Sequence, residues 1–239
     1  MIQLEGTNPV QEALRLGRIT KIMVEKGRLK DPKIAQLIET AKQRDIQVET
    51  TPRYRMRKIA LTKNYQGIIG LVEEEKDPSI DAVLRRKKDV CILILDQVQD
   101  PQNLGAILRT AEATDVDGVI LPKKGSASVT PTVHRVSMGG SLVVPVWNRS
   151  LFQEVKKLKD EGVKLVGVDP SGDKHYFSED LTGPIAFAIG GENRGVSTTL
   201  LSKCDVVVNI PMLGDLKSLN VSVATAVVLY ERIRQMKTR

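Results

Sequence analysis

Six short apolar runs recur through the later part of the chain: Val90–Leu95, Gly118–Leu121, Leu142–Val146, Val163–Val168, Ile185–Ile189 and Val206–Ile210. Helix-like patterns separate most of them. A strand that is apolar along its whole length, rather than at alternate positions, has no face to give to water. Strands of that kind alternating with helices form a parallel sheet covered on both sides. The fold class from Val90 onward is therefore α/β, built on a parallel sheet. In open sheets of this type ligands bind beyond the carboxyl ends of the strands. The residues that follow the runs are the first candidates for a site.

Residues 1–75 carry a smaller α/β pattern. Asn8-Pro9 opens a helix with Val10, Ala13 and Leu14, and Asp31-Pro32 opens another with Ile34, Leu37, Ile38 and Ala41 on one face. Ile19–Val24, Ile46–Thr50 and Tyr65–Val72 read as strands. Charged blocks at Glu73–Pro78 and Arg85–Lys88 enclose a short apolar stretch, Ile80 to Leu84. Residues 76–89 are therefore read as a linker between domains at 1–75 and 90–239.

Charge divides along the same line. Residues 1–88 hold 19 basic and 12 acidic side chains, and residues 89–239 hold 17 of each, so the whole net charge of +7 lies in the first third. A basic appendage on a neutral body points to a polyanion, most often nucleic acid. Arg53, Arg55, Arg57 and Lys58 crowd around Tyr54 just after Pro52, as an RNA contact or as a solvated helix start. No apolar run reaches the roughly 18 residues of a membrane span, and the N-terminus lacks the pattern of a signal peptide. Cys91 and Cys204 are neither a disulfide framework nor a zinc pattern, so a cytoplasmic location is expected. His134 and His175 are too scattered for a metal cluster, and aromatics at 3% are too few for a stacking platform.

Three of the segments after apolar runs stand out. Asp96 to Thr110 is polar and turn-rich, then helical, with Asn103 as a plausible N-cap and Arg109 almost two turns in. Gly190-Gly191-Glu192-Asn193-Arg194-Gly195 begins with paired glycines, which admit close backbone approach to a ligand or simply make a tight turn. It is neither a dinucleotide fingerprint nor a phosphate loop. The third segment runs from Pro211-Met212 to Ser218-Leu219-Asn220 and leads into a helix with small residues at Ser222, Ala224, Thr225 and Ala226. Such a helix packs closely within the chain or across a subunit interface.

In this order the three segments resemble the signature motifs of the SpoU family, within the knotted SPOUT superfamily of RNA methyltransferases. The first matches Asn103-Leu104-Gly105 through Arg109-Thr110, the second Ile189 through Gly195, and the third Ile210-Pro211-Met212 through Ala224. Gly6 through Leu14 and Tyr65 through Ile69 are similar to the substrate-binding module of the branch that methylates a guanosine ribose in 23S rRNA. That module resembles small ribosomal proteins. Tyr65 stands where many members carry His, and the 129–140 segment matches only loosely around Ser137 to Gly140.

The resemblance implies a deep trefoil knot, a homodimer, and S-adenosylmethionine as cofactor. It places Gly190, Gly191, Ile210, Met212 and Leu219 on the cofactor, with Ser137 and Gly139 beside them. Asn103, Arg109, Glu192, Ser218 and Asn220 would surround methyl transfer to a ribose 2′-hydroxyl, with Arg109 the usual candidate for activating it. Arg194 would join Arg53, Arg55, Arg57 and Lys58 in contacting RNA. The implied activity is methylation of 23S rRNA at a guanosine. A tRNA ribose methyltransferase and a catalytically silent RNA-binding protein of the same fold are the alternatives. The separate N-terminal module argues against tRNA, because minimal tRNA-acting relatives often lack one.

Overall fold

The computed structural model describes residues 1–74, 77–192 and 194–238. They form two compact units, Met1–Lys76 with Val129–Val143, and Asp77–Ser128 with Val144–Arg239. In chain order the first elements are β1 (Ile2–Glu5), α1 (Thr7–Arg15), β2 (Ile19–Glu25), α2 (Pro32–Gln43), β3 (Gln47–Thr51), α3 (Arg53–Ile59) and β4 (Ile68–Val72). They are followed by α4 (Ile80–Arg86), β5 (Cys91–Asp96), α5 (Pro101–Ala113), β6 (Gly118–Pro122), α6 (Pro131–Val136), β7 (Val146–Arg149) and α7 (Leu151–Asp160). The last are β8 (Lys164–Val168), β9 (Lys174–His175), β10 (Ile185–Gly190), α8 (Thr198–Leu201), β11 (Val206–Asn209) and α9 (Val221–Lys237).

The first unit is a four-stranded sheet in the order β1-β4-β2-β3. β2 and β3 are parallel, and β4 is antiparallel to both β1 and β2. The carboxyl ends of β1, β2 and β3 therefore lie at one end of the sheet, with the start of β4. Leu4, Val10, Leu14, Ile22, Ile34 and Ile68 are among the residues of its core. Glu5 is fully buried at that end, and its carboxylate accepts from the backbone amides of Leu61 (2.6 Å) and Thr62 (3.0 Å). Two charge-assisted bonds of this kind pin the loop ahead of β4.

That end of the sheet collects the basic charge. Lys26, Arg28 and Lys30 follow β2, Arg53, Arg55, Arg57 and Lys58 follow β3, and Lys63 precedes β4; all are exposed. Met56 is the one residue of α3 that is buried, so its cationic side chains point outward around the exposed Tyr54. Tyr65 is buried, and its hydroxyl donates to Glu25 (2.7 Å), whose other oxygen lies 3.7 Å from Arg53 Nε. Desolvation, with Glu25 beside it, raises the Tyr65 pKa, so its hydroxyl remains a donor. At the opposite end Arg15 pairs with Glu12, and Arg18 and Arg44 bond the carbonyls of Leu142 and Leu14.

The second unit is a seven-stranded sheet in the order β7-β6-β5-β10-β8-β11-β9, parallel throughout. β5 and β10 are buried at every position. Ile92, Ile94, Ala186 and Ala188 pack against side chains of α4, α7 and α8 on one face, and alternate residues point to the other. Each fully buried aliphatic side chain contributes about 1.5–3 kcal/mol, which is why these strands read as unbroken apolar runs. Burial pushes the Cys91 thiol up to about 12 and the Cys204 thiol up to about 11, so neither is a thiolate at neutral pH. Among the described residues no helix is long and apolar enough to cross a membrane, and no group of side chains is arranged to hold a metal ion.

Three readings of the sequence need correction here. The run Leu142–Val146 is not a strand: Gly140–Leu142 is a short 3-10 turn, and β7 begins at Val146. Residues 77–89 belong to the second unit rather than to a free linker. Ile80 and Val83 of α4 enter its core, and Trp147 Nε1 donates to the Pro78 carbonyl (2.8 Å). Lys76, the first residue of the expected linker, and Glu75, the last of the expected first domain, lie outside the described residues. Val129–Val143, expected in the second domain, belongs to the first unit, where α6 packs on β1. A segment's partner is set by long-range packing, which its local pattern does not encode.

Candidate active site

A cavity of about 500 Å³ lies beyond the carboxyl ends of β8, β10 and β11, where a parallel sheet places its ligands. Val168 to Ser171 line it after β8, and Ile189 to Glu192 with Arg194 and Gly195 after β10. Ile210, Met212, Lys217, Ser218 and Leu219 follow β11, and Val221 and Ala224 come from the first turns of α9.

The paired glycines are required by the chain itself. A Cβ on Gly190 would fall 1.8 Å from the Gly195 carbonyl carbon, and one on Gly191 would fall 2.1 Å from the Gln97 oxygen. Gly191 N donates to Asp96 O (2.7 Å) and Gly195 N to Gly191 O (3.3 Å), so the loop is folded back upon the end of β5. Only residues without side chains permit that approach. The tight-turn reading is the one this geometry carries, and both glycines also stand on the cavity wall.

Glu192 is tied to two distant segments. Its carboxylate accepts from Asn103 Nδ2 (2.7 Å) and from the amides of Gln99 and Asp100 (3.3 Å each), at the N-terminus of α5. Asn103 Oδ1 in turn accepts from Asn220 Nδ2 (3.0 Å). Asn220 is the N-cap of α9, and its Oδ1 accepts from Ser222 N (2.9 Å) and Oγ (2.6 Å). Both ends of this chain of bonds are fixed in polarity, because a backbone N–H can only donate and an ionised carboxylate can only accept. The orientation of both asparagine amides follows. Desolvation alone would raise the Glu192 pKa, but the bonds from Asn103, its own backbone, Gln99 and Asp100 outweigh it and hold the carboxyl below its ordinary range. At neutral pH the group is an acceptor with no proton to give.

Of the residues expected at the site, Gly190, Gly191, Glu192, Arg194, Ile210, Met212, Ser218 and Leu219 line the cavity together. Asn103 and Asn220 reach it through Glu192. Asn103 is not an N-cap: Asp100 caps α5, accepting from Gln102 N (2.8 Å), and Asn103 sits in the first turn. Arg109 is exposed on α5 and does not line the cavity. Ser137 and Gly139 do not line it either. Ser137 is buried in the first unit and bonds His134 O and Ser141 Oγ, while a Cβ on Gly139 would lie 2.5 Å from the Glu12 side chain. The small size of Gly139 serves packing against α1. Asn193 lies outside the described residues. The sequence reading missed Asp169, Pro170 and Ser171, although they follow the apolar run Val163–Val168 as the other site segments follow theirs. Asp169 accepts from Ser171 N (3.0 Å) and Oγ (2.7 Å) and holds that loop at the cavity rim.

Residues 90–230 match the SpoU rRNA Methylase family, and residues 3–78 match the RNA 2′-O ribose methyltransferase substrate-binding domain. The chain belongs to the SpoU rRNA methylase family. Among its relatives in the family, a TrmH family tRNA/rRNA methyltransferase of Staphylococcus aureus is 36% identical over 96% of this chain and 94% of its own length. The 23S rRNA (guanosine-2′-O-)-methyltransferase of Shewanella oneidensis is 36% identical over 92% and 91%. Among solved structures, the AdoMet-bound rRNA methyltransferase of Sinorhizobium meliloti superposes with a TM-score of 0.79 at 25% identity, over 98% of this chain and 87% of that one. The A. aeolicus TrmH/SpoU tRNA modifying enzyme covers only 65% of this chain and 80% of its own, with a TM-score of 0.57 at 30% identity. Membership of this family makes the protein an RNA methyltransferase with an RNA-binding substrate domain.

The Glu192 clasp carries a pH signature. Its folded-state pKa lies below the unfolded value, so its stabilisation is complete above the ordinary carboxylate range and is lost as pH falls through the depressed value. Glu192→Gln should lower Tm at neutral pH, and its deficit against the wild type should shrink in acid. A deficit that stays constant across a pH series of melting curves would show that ionisation of Glu192 plays no part.

Proposed function

We propose that this chain transfers a methyl group from S-adenosylmethionine to a ribose 2′-hydroxyl of 23S rRNA, at a guanosine. The observation that carries this reading is the single cavity in which the second and third motif segments meet, tied to the first through Glu192 and Asn103. The cavity fits the cofactor chemically. Ile189, Ile210, Met212, Leu219 and Val221 offer apolar surface, and Gly190 and Gly191 line the wall with backbone alone. Asp169 and Glu192 put negative charge beside a ligand that carries a sulfonium and an ammonium. S-adenosylmethionine supplies an electrophilic methyl group. The chain's own residues have to align the hydroxyl and favour loss of its proton.

Arg109 suits a part in that task as a cation, not as a base. A guanidinium keeps its protons at all physiological pH, so its role is to hold a phosphate and stabilise developing alkoxide charge. Asn103, Asn220 and Glu192 hold the cavity loops in register. Ser218, on the cavity wall, is placed to exchange a hydrogen bond. The strand order, with β10 entering between β5 and β8 and β11 beyond β8, agrees with the knot that the resemblance implies. Exposed apolar side chains at Leu213, Leu216, Val223 and Tyr230 favour a homodimer. Light scattering at micromolar concentration should return twice the chain mass, and a monomer would contradict it.

The rRNA reading is favoured by the length of the likeness: the Shewanella relative matches 92% of this chain, whereas the A. aeolicus tRNA enzyme matches 65% of it. Labelled S-adenosylmethionine, offered with unmodified 23S rRNA or with total tRNA, decides the matter. Label in rRNA at one guanosine is expected. Label in tRNA alone would move the protein to the tRNA branch, and bound but unlabelled RNA would make it a silent binder. Arg109→Ala should lower turnover by about two to three orders of magnitude and leave cofactor affinity within a few fold. Near-normal turnover would remove Arg109 from the reaction.

The basic end of the first sheet supports salt-sensitive RNA affinity. Replacing Arg53, Arg55 and Arg57 together by Gln should flatten the plot of log Kd against log salt by about 2 units of slope, at roughly 0.7–0.9 per lost phosphate contact. An unchanged slope would take α3 out of the RNA interface.

A further inference from the structure

A second cavity of about 340 Å³ adjoins the first, lined by Gln97, Gln99, Gly191, Arg194 and Gly195. Three of these residues, Gly191, Arg194 and Gly195, line both cavities, so the bridge between Gly191 and Gly195 forms a common wall. No carboxylate lines the smaller one. Glu192 is turned away to the amides of α5, which leaves two carboxamides, a guanidinium and glycine backbone. That set can donate and accept hydrogen bonds but cannot move a proton. It suits recognition of a neutral, polar, planar edge beside a phosphate.

The backbone is built to present these groups. Gln97 has a φ of 64°, in the left-handed region that costs an ordinary residue strain. The turn swings the chain out of β5 so that the Gln97 carbonyl meets Gly191. Val98 points inward, fully buried, and its carbonyl accepts from Ala127 N (2.8 Å) of the loop after β6. Gln97 and Gln99 on either side of it are both exposed. The β6 loop brings the exposed Lys123 and Lys124, and Gly125 of the same loop lies against Gln97. Cationic side chains thus come from two loops near the two carboxamides.

We infer that this smaller cavity receives the acceptor nucleotide of the RNA, with Gln97 and Gln99 reading the edge of its base. The inference rests on the methyl-transfer reading above. A cavity of this size holds one small ligand, so the nucleotide enters singly, out of any helical stack. Arg194, Lys123 and Lys124 take its flanking phosphates. The shared wall at Gly191 and Gly195 sets its ribose against the larger cavity, where the methyl donor is held.

The test uses the full chain and the RNA that the wild type methylates. Gln97→Ala/Gln99→Ala should lower kcat/KM for that RNA by about tenfold or more, and should lower its preference over an RNA with another base at the target position. S-adenosylmethionine affinity by calorimetry should stay within twofold of the wild type. Gln99→Glu, nearly the same shape but unable to donate, should show the same loss in a protein whose folding is less disturbed. Unchanged kcat/KM and unchanged base preference in both variants, with an active wild type, would overturn this inference alone. A wild type that binds RNA and S-adenosylmethionine but transfers no methyl group would overturn the underlying reading, and this inference with it.

Discussion

The loops of the second unit's site are tied together through one carboxylate. Glu192 draws the end of β10 to the start of α5, and through Asn103 and Asn220 to the start of α9. Three segments spaced across more than a hundred residues are thereby held in one register. Each link has a defined donor and a defined acceptor, so the arrangement has a single satisfied state. The close backbone approach at Gly190 and Gly191 makes that register reachable, because any side chain there would hold the loop away from β5. The apolar sheet provides the stable body, and these few polar bonds decide where its loops stop.

The same reasoning separates positioning from chemistry. Glu192, with a depressed pKa and its oxygens bonded to α5, ties the loops of the site together. Asn103 and Asn220 extend that tie between helices. Arg109 and Arg194 remain exposed and cationic, free to meet an anionic substrate. The +7 net charge follows a similar division. Eight exposed basic side chains lie at one end of the four-stranded sheet, where parallel β2 and β3 deliver their following loops together, while Arg85 to Lys88 belong to the second unit. Arg15, Arg18 and Arg44 at the opposite end are occupied by Glu12 and by backbone carbonyls.

Much of this was legible in the residues. Unbroken apolar runs meant a covered parallel sheet, and the rule that ligands sit past the strand ends led to Glu192, Ser218 and the glycines. Applied also to Val163–Val168, the same rule would have found Asp169 and Ser171. The failures share a cause. Leu142–Val146 looked like a strand because five residues of mixed apolar character carry no period. Ser137 and Gly139 looked like site residues because small residues serve close packing and ligand approach alike. In the structure Gly139 makes room for α1, and Ser137 bonds His134 and Ser141.

Sequence alone therefore determined the fold class, the place of the basic charge and the chemical types at the site, because burial, ionisation and hydrogen-bonding capacity belong to residues. Tertiary structure decided which residues meet. It assigned the 129–143 segment to the first unit, made the expected linker into a core helix, and turned Asn103 from a cap into a relay. It also set Gln97 and Gln99 beside Arg194, a juxtaposition that no local pattern announces. Those outcomes depend on packing between elements far apart in the chain, and a packing partner is a property of the pair.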